Sequence, residues 1–346
     1  MINLIYFVII LGIIVLIHES GHFLFAKLFG VYVHEFSIGM GPKLISWKSK
    51  HQETTYSIRA IPIGGFCALA GEEANDSTNI PEDRKLYTKP IWQRFLVMFF
   101  GAGFNFISAI IFLFLMGLIW GSPSSEPIIG EVLKGNPAYE AGLKENDYVL
   151  KINDHKIKTA DDMLIYLQTE NRSRPITFLV RRDHKEYEIK VKPVEEVVDG
   201  SKVYRIGVKL SSEVETGFMA AIDYAFTKTG SLFRQMIVTF KSLFTGNLSV
   251  NQLSGPVGIY SIVGEQREAG FKNIIYLIAL LSINVGFINL IPFPAFDGGR
   301  IVFLFIEKIK GSPVKGETES LIHSIGFFLL IALMIFITFN DIVKLF

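Results

Sequence analysis

The run IYFVIILGIIVLIHESGHFLFAKLF, from Ile5 to Phe29, decides the fold class of this chain. It is longer than the roughly 20 apolar residues that cross the hydrocarbon core of a bilayer. It nevertheless carries His18, Glu19 and His22. A charged side chain at the bilayer centre costs roughly 2.5–3.5 kcal/mol even on insertion scales, so ionisable residues there usually have a function. The run therefore predicts a transmembrane helix with a functional site.

Three more runs have the length and composition of membrane spans, roughly Phe95–Trp120, Ile274–Phe296 and Leu321–Phe339. Half of the 346 residues are hydrophobic and the net charge is +1, without the basic surplus of nucleic-acid-binding proteins. The sequence predicts an α-helical integral membrane protein with about four transmembrane helices. A signal peptide is the disfavoured alternative for the first run, which lacks a basic start and a cleavage site of small residues.

Lysine and arginine are distributed unevenly among the loops. None precedes the first His, nine fall from Lys27 to Arg94, and four fall between the third and fourth runs. Because cytoplasmic loops carry the excess of these residues, both loops are expected in the cytoplasm. The N-terminus and the long segment between the second and third runs are then expected outside. The one cysteine, Cys67, excludes an intrachain disulfide and is expected to be a buried apolar residue.

The segment between the second and third runs contains a polar module. Strand-like runs recur from 128 to 210, and Met163, Leu164 and Leu167 share one face of a helix predicted over Ala160–Thr169. Gly217–Phe244 is amphipathic and predicts an interfacial helix or a pair of helices, with a fifth transmembrane segment as the less favoured alternative.

The His18–Glu19–x–x–His22 spacing is a zinc-protease pattern. Residues four apart on a helix project from one face, so both imidazoles can reach one ion. Zinc lowers the pKa of bound water to about 7, and a neighbouring glutamate can take the proton. His18 and His22 are therefore candidate zinc ligands, and Glu19 is the candidate general base.

A catalytic zinc usually has three protein ligands and one open position. NLIPFPAFDGGR, from Asn289 to Arg300, provides the best third candidate, because its two prolines break the third helix and Asp297 follows at once. An N-cap role is the alternative for Asp297. His34 and Glu35 are alternative ligands, although a solvated loop explains them more simply.

GNPAYEAGLKENDYVLKINDHKIKTADDMLIYL, from Gly135 to Leu167, resembles a PDZ domain of the bacterial protease type. PDZ domains commonly bind a peptide as an added strand at a sheet edge. The alternative is a module without a ligand, which only packs and restricts access.

Together, the three motifs resemble the site-2 protease family, and most closely the bacterial RseP-type intramembrane zinc metalloproteases. The stretches FSIGMGPKL (Phe36–Leu44), YSIRAIPIGGF (Tyr56–Phe66) and LSGPVGI (Leu253–Ile259) extend the resemblance over essentially the whole chain. The chain departs from the family in having Phe296 where Leu is usual, and it has room for one PDZ domain where some relatives have two.

The resemblance implies Zn²⁺ as cofactor, with His18, His22 and Asp297 as its ligands and Glu19 as the base. It implies that Asn289 binds the substrate backbone. It also marks Asn105 as a substrate-binding candidate, with a hydrogen bond between helices as an equal alternative.

The resemblance also implies the location, the substrates and the domain organisation. We expect a multi-pass protein of the bacterial inner membrane, with the PDZ domain outside the cytoplasm. Its substrates would be transmembrane proteins, for example anti-sigma factors, remnant signal peptides or pheromone precursors. The expected segments are a first helix (1–34), a membrane-dipping β loop (35–90), a second helix (91–121), the PDZ domain (126–211), amphipathic helices with a connecting loop (215–270), a third helix (271–300) and a fourth (319–346).

A transmembrane substrate must unwind before its peptide bonds can be cut, and an unwound backbone in lipid needs new hydrogen-bond partners. We expect an edge strand around Thr54–Ile61 to supply them by strand pairing.

Two other functions compete with proteolysis. A membrane scaffold with a structural zinc would need four protein ligands, and the sequence offers three good ones. A metal transporter would need polar residues through several spans, and the second and fourth runs have few.

Overall fold

The structure, a computed structural model, describes residues 2–48, 53–72, 79–169, 174–198, 201–211, 213–246, 248 and 253–344. In these ranges the chain forms nine α-helices: α1 (Ile2–Leu28), α2 (Ile91–Trp120), α3 (Pro137–Glu140), α4 (Ala160–Thr169), α5 (Phe218–Phe244), α6 (Pro256–Glu268), α7 (Phe271–Leu290), α8 (Asp297–Lys310) and α9 (Gly316–Val343). The same ranges contain twelve strands: β1 (Val33–Lys48), β2 (Thr55–Leu69), β3 (Ser122–Pro123), β4 (Ile129–Val132), β5 (Tyr148–Ile152), β6 (His155–Lys156), β7 (Ile176–Arg182), β8 (Lys185–Val191), β9 (Val194–Val198), β10 (Ser201–Arg205), β11 (Val208–Leu210) and β12 (Val214–Glu215).

The chain divides into two compact units. The first consists of Met1–Phe112 and Leu253–Phe346, and the second of Leu113–Gln252. The first unit contains the candidate site, so its elements are described first.

Four helices, α1, α2, α7 and α9, are long and apolar enough to cross a membrane. The prediction of a mostly helical protein with four candidate membrane-spanning helices is therefore confirmed. The amphipathic segment after the polar module forms one helix, α5, which is not among the four candidate spans.

The third span differs from the sequence expectation, because α7 ends at Leu290 and not at Phe296. Ile291 is extended, as expected for a residue before a proline, and Pro292 and Pro294 cannot donate the backbone hydrogen bonds of a helix. A separate amphipathic helix, α8, begins at Asp297. A partly buried ion pair between Glu307 of α8 and Arg94 of α2 connects these two helices.

A carboxylate near the C-terminal end of α9 accepts hydrogen bonds from the N-terminal end of α6. Asp341 is buried, and its Oδ2 accepts hydrogen bonds from the backbone N–H groups of Gly255 and Gly258, both at 2.8 Å. The first N–H groups of a helix have no partner within the helix, so Asp341 satisfies two groups at this end of α6. The LSGPVGI stretch is thus a helix start held by a distant side chain.

Strands β1 and β2 form a sheet in which each strand folds back on itself and contributes two segments. Ile38 and Ile45 both pair with Ile58, so β1 folds back between them. The fold-back contains Gly39 and Gly41 at φ +86° and +81°, where glycine is favoured because it has no Cβ. Phe36 in turn pairs with both Cys67 and Tyr56. Cys67 is buried, as predicted.

This pairing corrects the expected edge strand around Thr54–Ile61. Thr55–Ile58 pairs with Glu35–Ile38 on one side and with Ile45–Lys48 on the other, so its backbone groups are already used. Within the described part of the sheet, the edges are Ile45–Lys48 and Gly65–Leu69. The sequence did not reveal this arrangement because alternation within a strand does not show how often the strand folds back.

The second unit contains a four-stranded sheet in the order β6-β5-β7-β8 and a separate β11–β4 pair. The predicted helix is present as α4, with the predicted bounds. Alternating residues of these elements form one apolar core. Its largest fully buried side chains are those of Ile129, Val149, Ile152, Met163 and Phe178.

Helix α5 contacts α4 through polar side chains. Lys228 Nζ lies 2.7 Å from an oxygen of Asp161, and Arg234 Nε lies 2.9 Å from Asp162 Oδ1. Between these pairs, the buried hydroxyl groups of Thr159 and Ser231 are 3.1 Å apart. A paired network of this kind fixes the orientation of two elements more closely than apolar contact alone.

Candidate metal centre

The two histidines of α1 project from one helix face, as their spacing predicts. His18 and His22 are both buried, and their Nε2 atoms are 3.2 Å apart. Gly21, between them, lets α2 approach α1, because a Cβ at this position would lie 2.0 Å from the Phe100 carbonyl oxygen. The imidazoles therefore lie at a close contact of two apolar helices, away from bulk water.

Asp297 reaches the same point from the other end of the chain. Its Oδ2 lies 3.2 Å from His18 Nε2 and 3.3 Å from His22 Nε2. Gly298 allows the sharp turn from α7 into α8, since a Cβ there would lie 2.2 Å from the Ile291 carbonyl oxygen. Phe296, not Asp297, occupies the N-cap position of α8, and no side chain caps this helix. The N-cap alternative for Asp297 is therefore wrong.

The three atoms fit a zinc ion. Zn–N and Zn–O bonds of about 2.0–2.1 Å in a tetrahedron place the ligand atoms about 3.3–3.4 Å apart. The observed separations are 3.2, 3.2 and 3.3 Å. Asp297 Oδ2 is also buried, and no described group donates a hydrogen bond to it. An unpartnered buried oxygen facing two imidazole nitrogens is the arrangement that a cation would stabilise.

His22 is oriented by a backbone group of α2. Its Nδ1 donates a hydrogen bond of 2.8 Å to the Val97 carbonyl oxygen, which leaves the Nε2 lone pair directed at Asp297. Zinc-bound histidines typically donate their other ring N–H in this way. Gly101, one turn after Val97, makes room for the ring, because a Cβ there would lie 2.3 Å from His22 Nε2.

Glu19 follows His18 and lies against the β1–β2 sheet. Its Cγ is 3.7 Å from the position that a Cβ would take on Gly65, at the start of the Gly65–Leu69 edge. The candidate base is therefore next to His18 in the chain and close to the Gly65–Leu69 edge of the sheet.

The two asparagines lie in different environments. Asn289 is half-buried in the last turn of α7, before the turn that carries Asp297. Asn105 is fully buried on α2, and its amide nitrogen is 3.2 Å from His18 Nδ1. Both are substrate-binding candidates in the sequence, with a hydrogen bond between helices as the equal alternative for Asn105, and of the two only Asn289 is accessible.

Neither His34 nor Glu35 belongs to the cluster of ligand atoms found in the described residues. Glu35 lies in the β1–β2 sheet. Burial raises the pKa of its carboxyl group, but hydrogen bonds from Lys43, Ser57 and Arg59 outweigh burial and hold the pKa at about 2. Glu35 therefore fixes the sheet as a carboxylate.

Two residues of α9 contact the turn that carries Asp297, and sequence reasoning did not assign them a role. His323 Nδ1 donates to the Pro294 carbonyl oxygen at 3.2 Å. Gly326 lies so close that a Cβ would be 2.8 Å from Pro294 Cβ. The signal in the sequence was His323 itself, the one ionisable residue in the fourth apolar run.

Comparison with known proteins identifies a family. The profile of Peptidase family M50 matches residues 6–333, which is nearly the whole chain. The chain is 33% identical to the regulator of sigma-W protease RasP of Bacillus subtilis, over 98% of each protein. It is 33% identical to the probable protease eep of Enterococcus faecalis, over 99% of each. It is 38% identical to a putative zinc metalloprotease of Fusobacterium nucleatum, over 98% of each.

Proposed function

Because the chain belongs to peptidase family M50 and is a zinc metalloprotease of the site-2 type, we propose that His18, His22 and Asp297 hold its catalytic zinc. The observation that carries this proposal is the set of three separations near 3.3 Å among their ligand atoms. Three protein ligands leave one tetrahedral position open, as in catalytic sites, whereas a structural zinc would use a fourth. A scaffold with a structural zinc is therefore the weaker interpretation.

Glu19 acts as the general base. A bound zinc ion supplies Lewis acidity that polarises the scissile carbonyl group and makes water a nucleophile near neutral pH. The Glu19 carboxylate takes a proton from the attacking water and delivers it to the nitrogen of the leaving amine. The half-buried amide of Asn289 holds a backbone group of the substrate near Asp297.

The substrate is a membrane-embedded segment that unwinds before cleavage. Its freed backbone groups need partners, because unpaired N–H and C=O groups in lipid are costly. The Gly65–Leu69 edge can pair with an extended segment, and Gly65 lies against Glu19. Strand addition there would bring successive peptide bonds to the base with little demand on sequence. In this proposal the unwound substrate pairs with the Gly65–Leu69 edge and not with Thr54–Ile61.

The polar module, 126–211, is a PDZ domain in this proposal. A cavity of about 420 Å³ lies between α4 and β11 and is mainly apolar. Its lining includes Met163, Leu164, Leu167, Val208 and Leu210. Such a groove suits the apolar side chains of an extended peptide or of a substrate's outer domain. The module either docks substrates or restricts their access by size.

The membrane arrangement follows the distribution of Lys and Arg in the sequence. The protein lies in the bacterial inner membrane, with the β1–β2 sheet on the cytoplasmic side and the PDZ module outside. One relative is named regulator of sigma-W protease. Anti-sigma factors are therefore the first class of membrane substrate to test, followed by remnant signal peptides.

The proposal is tested by cleavage of a membrane-embedded substrate with purified protein in detergent. Cleavage should stop when a chelator removes zinc and return when zinc is restored, and mass spectrometry should place the new ends inside the apolar segment. New ends only in the soluble part of the substrate, or cleavage that persists without zinc, would contradict it.

A further inference from the structure

The amide of Asn105 meets a candidate zinc ligand in a fully buried position. The side chain comes from α2, and its Nδ2 lies 3.2 Å from His18 Nδ1. Its Oδ1 is also buried and has no hydrogen-bond partner among the described residues. Buried amide oxygens are nearly always hydrogen-bonded, so this oxygen requires an explanation.

The chemistry of a zinc-bound imidazole supplies one. His18 directs Nε2 at Asp297 Oδ2 and His22 Nε2, so Nε2 must present a lone pair to an ion at this point. The ring proton then resides on Nδ1, which becomes a donor and needs an acceptor. A half-turn of the Asn105 amide exchanges two atoms of equal size and places Oδ1 at Nδ1. This rotation gives the imidazole N–H an acceptor and the amide oxygen a donor, while Nδ2 takes the former position of the oxygen.

The other proposed zinc ligand, His22, also has a hydrogen-bond acceptor on α2 for its Nδ1–H. His22 Nδ1 donates to the Val97 carbonyl oxygen on the same helix, eight residues before Asn105. Gly101 lies midway and leaves space for the His22 ring. Val97, Gly101 and Asn105 are spaced at i, i+4 and i+8, so they lie along one stripe of α2. This stripe faces both imidazoles of α1.

We propose that Asn105 is a positioning residue for the metal site: its amide oxygen accepts the Nδ1–H of His18 and fixes the ring with Nε2 toward the ion. This inference rests on the proposed zinc site. It assigns Asn105 to ligand orientation and not to substrate binding. Residues that orient zinc-bound histidines typically contribute 10–100-fold to metal affinity.

The experiment measures zinc affinity of the full-length protein in detergent by competition with a chelator. Asn105→Leu removes the acceptor at similar volume and should weaken zinc binding by about 10–100-fold. Asn105→Asp keeps an acceptor but cannot donate, so it should bind zinc at least as tightly as wild type. Ser108→Ala is the matched control, because this buried hydroxyl on α2 donates only to the Asn105 backbone carbonyl. The control should bind zinc like wild type.

The visible absorption of the Co²⁺-substituted protein gives a second readout that is independent of activity. Asn105→Leu should shift the bands, since His18 is no longer held, whereas Asn105→Asp and Ser108→Ala should retain them. If Asn105→Leu does not fold, the zinc affinity of Asn105→Asp alone tests the inference. A tenfold loss of zinc affinity in Asn105→Asp would mean that the amide acts as a donor, and would overturn the inference.

Failure of the inference can be distinguished from failure of the zinc site. If His18→Ala loses zinc while Asn105→Leu keeps wild-type affinity and spectrum and only raises KM, Asn105 binds substrate and the inference is wrong. If His18→Ala itself keeps wild-type zinc affinity, the proposed zinc site is wrong, and the inference fails with it.

Discussion

His22 Nε2 and Asp297 Oδ2 lie 3.3 Å apart, and they connect the first helix of the chain with the start of α8. A shared ion at this point would link two ends of the chain that no local hydrogen bond connects. The proposed zinc site would therefore stabilise the fold as well as support catalysis.

Replacement of Asp297 with Asn should release zinc. The amide retains the shape of the side chain but lacks the charge, and neutral amide oxygens are poor zinc ligands compared with carboxylates. We expect at least a tenfold loss of zinc affinity, measured by chelator competition. The variant should also show a lower thermal unfolding midpoint in zinc, since binding stabilises only the folded state. Wild-type zinc content in this variant would remove Asp297 from the ligand set.

Replacement of Glu19 with Gln should impair cleavage without releasing zinc. Zinc content should stay at the wild-type level because Glu19 is not a proposed ligand. Cleavage should fall by about 10²–10⁴-fold, the usual contribution of a general base. The measurement is the turnover of a membrane-embedded substrate together with zinc analysis of the same preparation. Retained turnover would refute the assignment of the base.

Gly65→Ala should impair cleavage without removing zinc. An added Cβ would lie 2.7 Å from the Ser37 carbonyl oxygen, so the sheet must shift at the point where it contacts Glu19. We expect at least a tenfold loss of turnover at unchanged zinc affinity. Gly230→Ala is the control, because the nearest atom to its Cβ is the end of a flexible arginine at 3.5 Å. Equal turnover in both variants would exclude a role for this contact.

The β1–β2 sheet should lose stability in acid because of Glu35. The folded pKa of about 2 lies below the ordinary value of 4.5, so the stabilisation is complete above about pH 4.5 and is lost as pH falls toward 2. Glu35→Gln should lose this stabilisation at neutral pH, by about 1–3 kcal/mol for disrupted buried hydrogen bonds. Its own stability should change less between pH 4.5 and 2.

Trp47 provides the measurement for Glu35, because it lies on β1 and stacks on Tyr56 of β2. Its fluorescence can be followed during unfolding in a protein with Trp92 and Trp120 replaced by Phe. Identical acid dependence with and without the Glu35 carboxylate would show that another group controls the transition.

Deletion of Ile128–Leu210 should broaden the substrate range if the module restricts access. Substrates with large outer domains should then be cut, while cleavage of short substrates stays the same. The comparison uses one apolar segment fused to outer domains of increasing size. Reduced cleavage of all substrates by a well-folded deletion variant would instead indicate a docking role.

The sequence determined the features that depend on local spacing. The apolar runs specify the four spans, because a helix of about 20 apolar residues is the simplest way to satisfy its backbone in lipid. Four-residue spacing puts His18 and His22 on one face of α1. Pro292 and Pro294 end α7. Each of these results follows from residues that are close together in the chain.

Tertiary structure decided what those residues meet. Asp297 reaches the histidines because α7, its turn and α8 pack as they do, whereas the sequence indicates this contact only through the unfilled third ligand position, the proline break and the family resemblance. The sheet edge proposed to pair with the substrate is Gly65–Leu69 and not the expected Thr54–Ile61, because β1 and β2 fold back on themselves. Asn105 lies at His18 because Gly21 and Gly101 let α1 and α2 approach. These contacts join residues that are distant in the chain, and local periodicity carries no information about which distant surfaces will pack together.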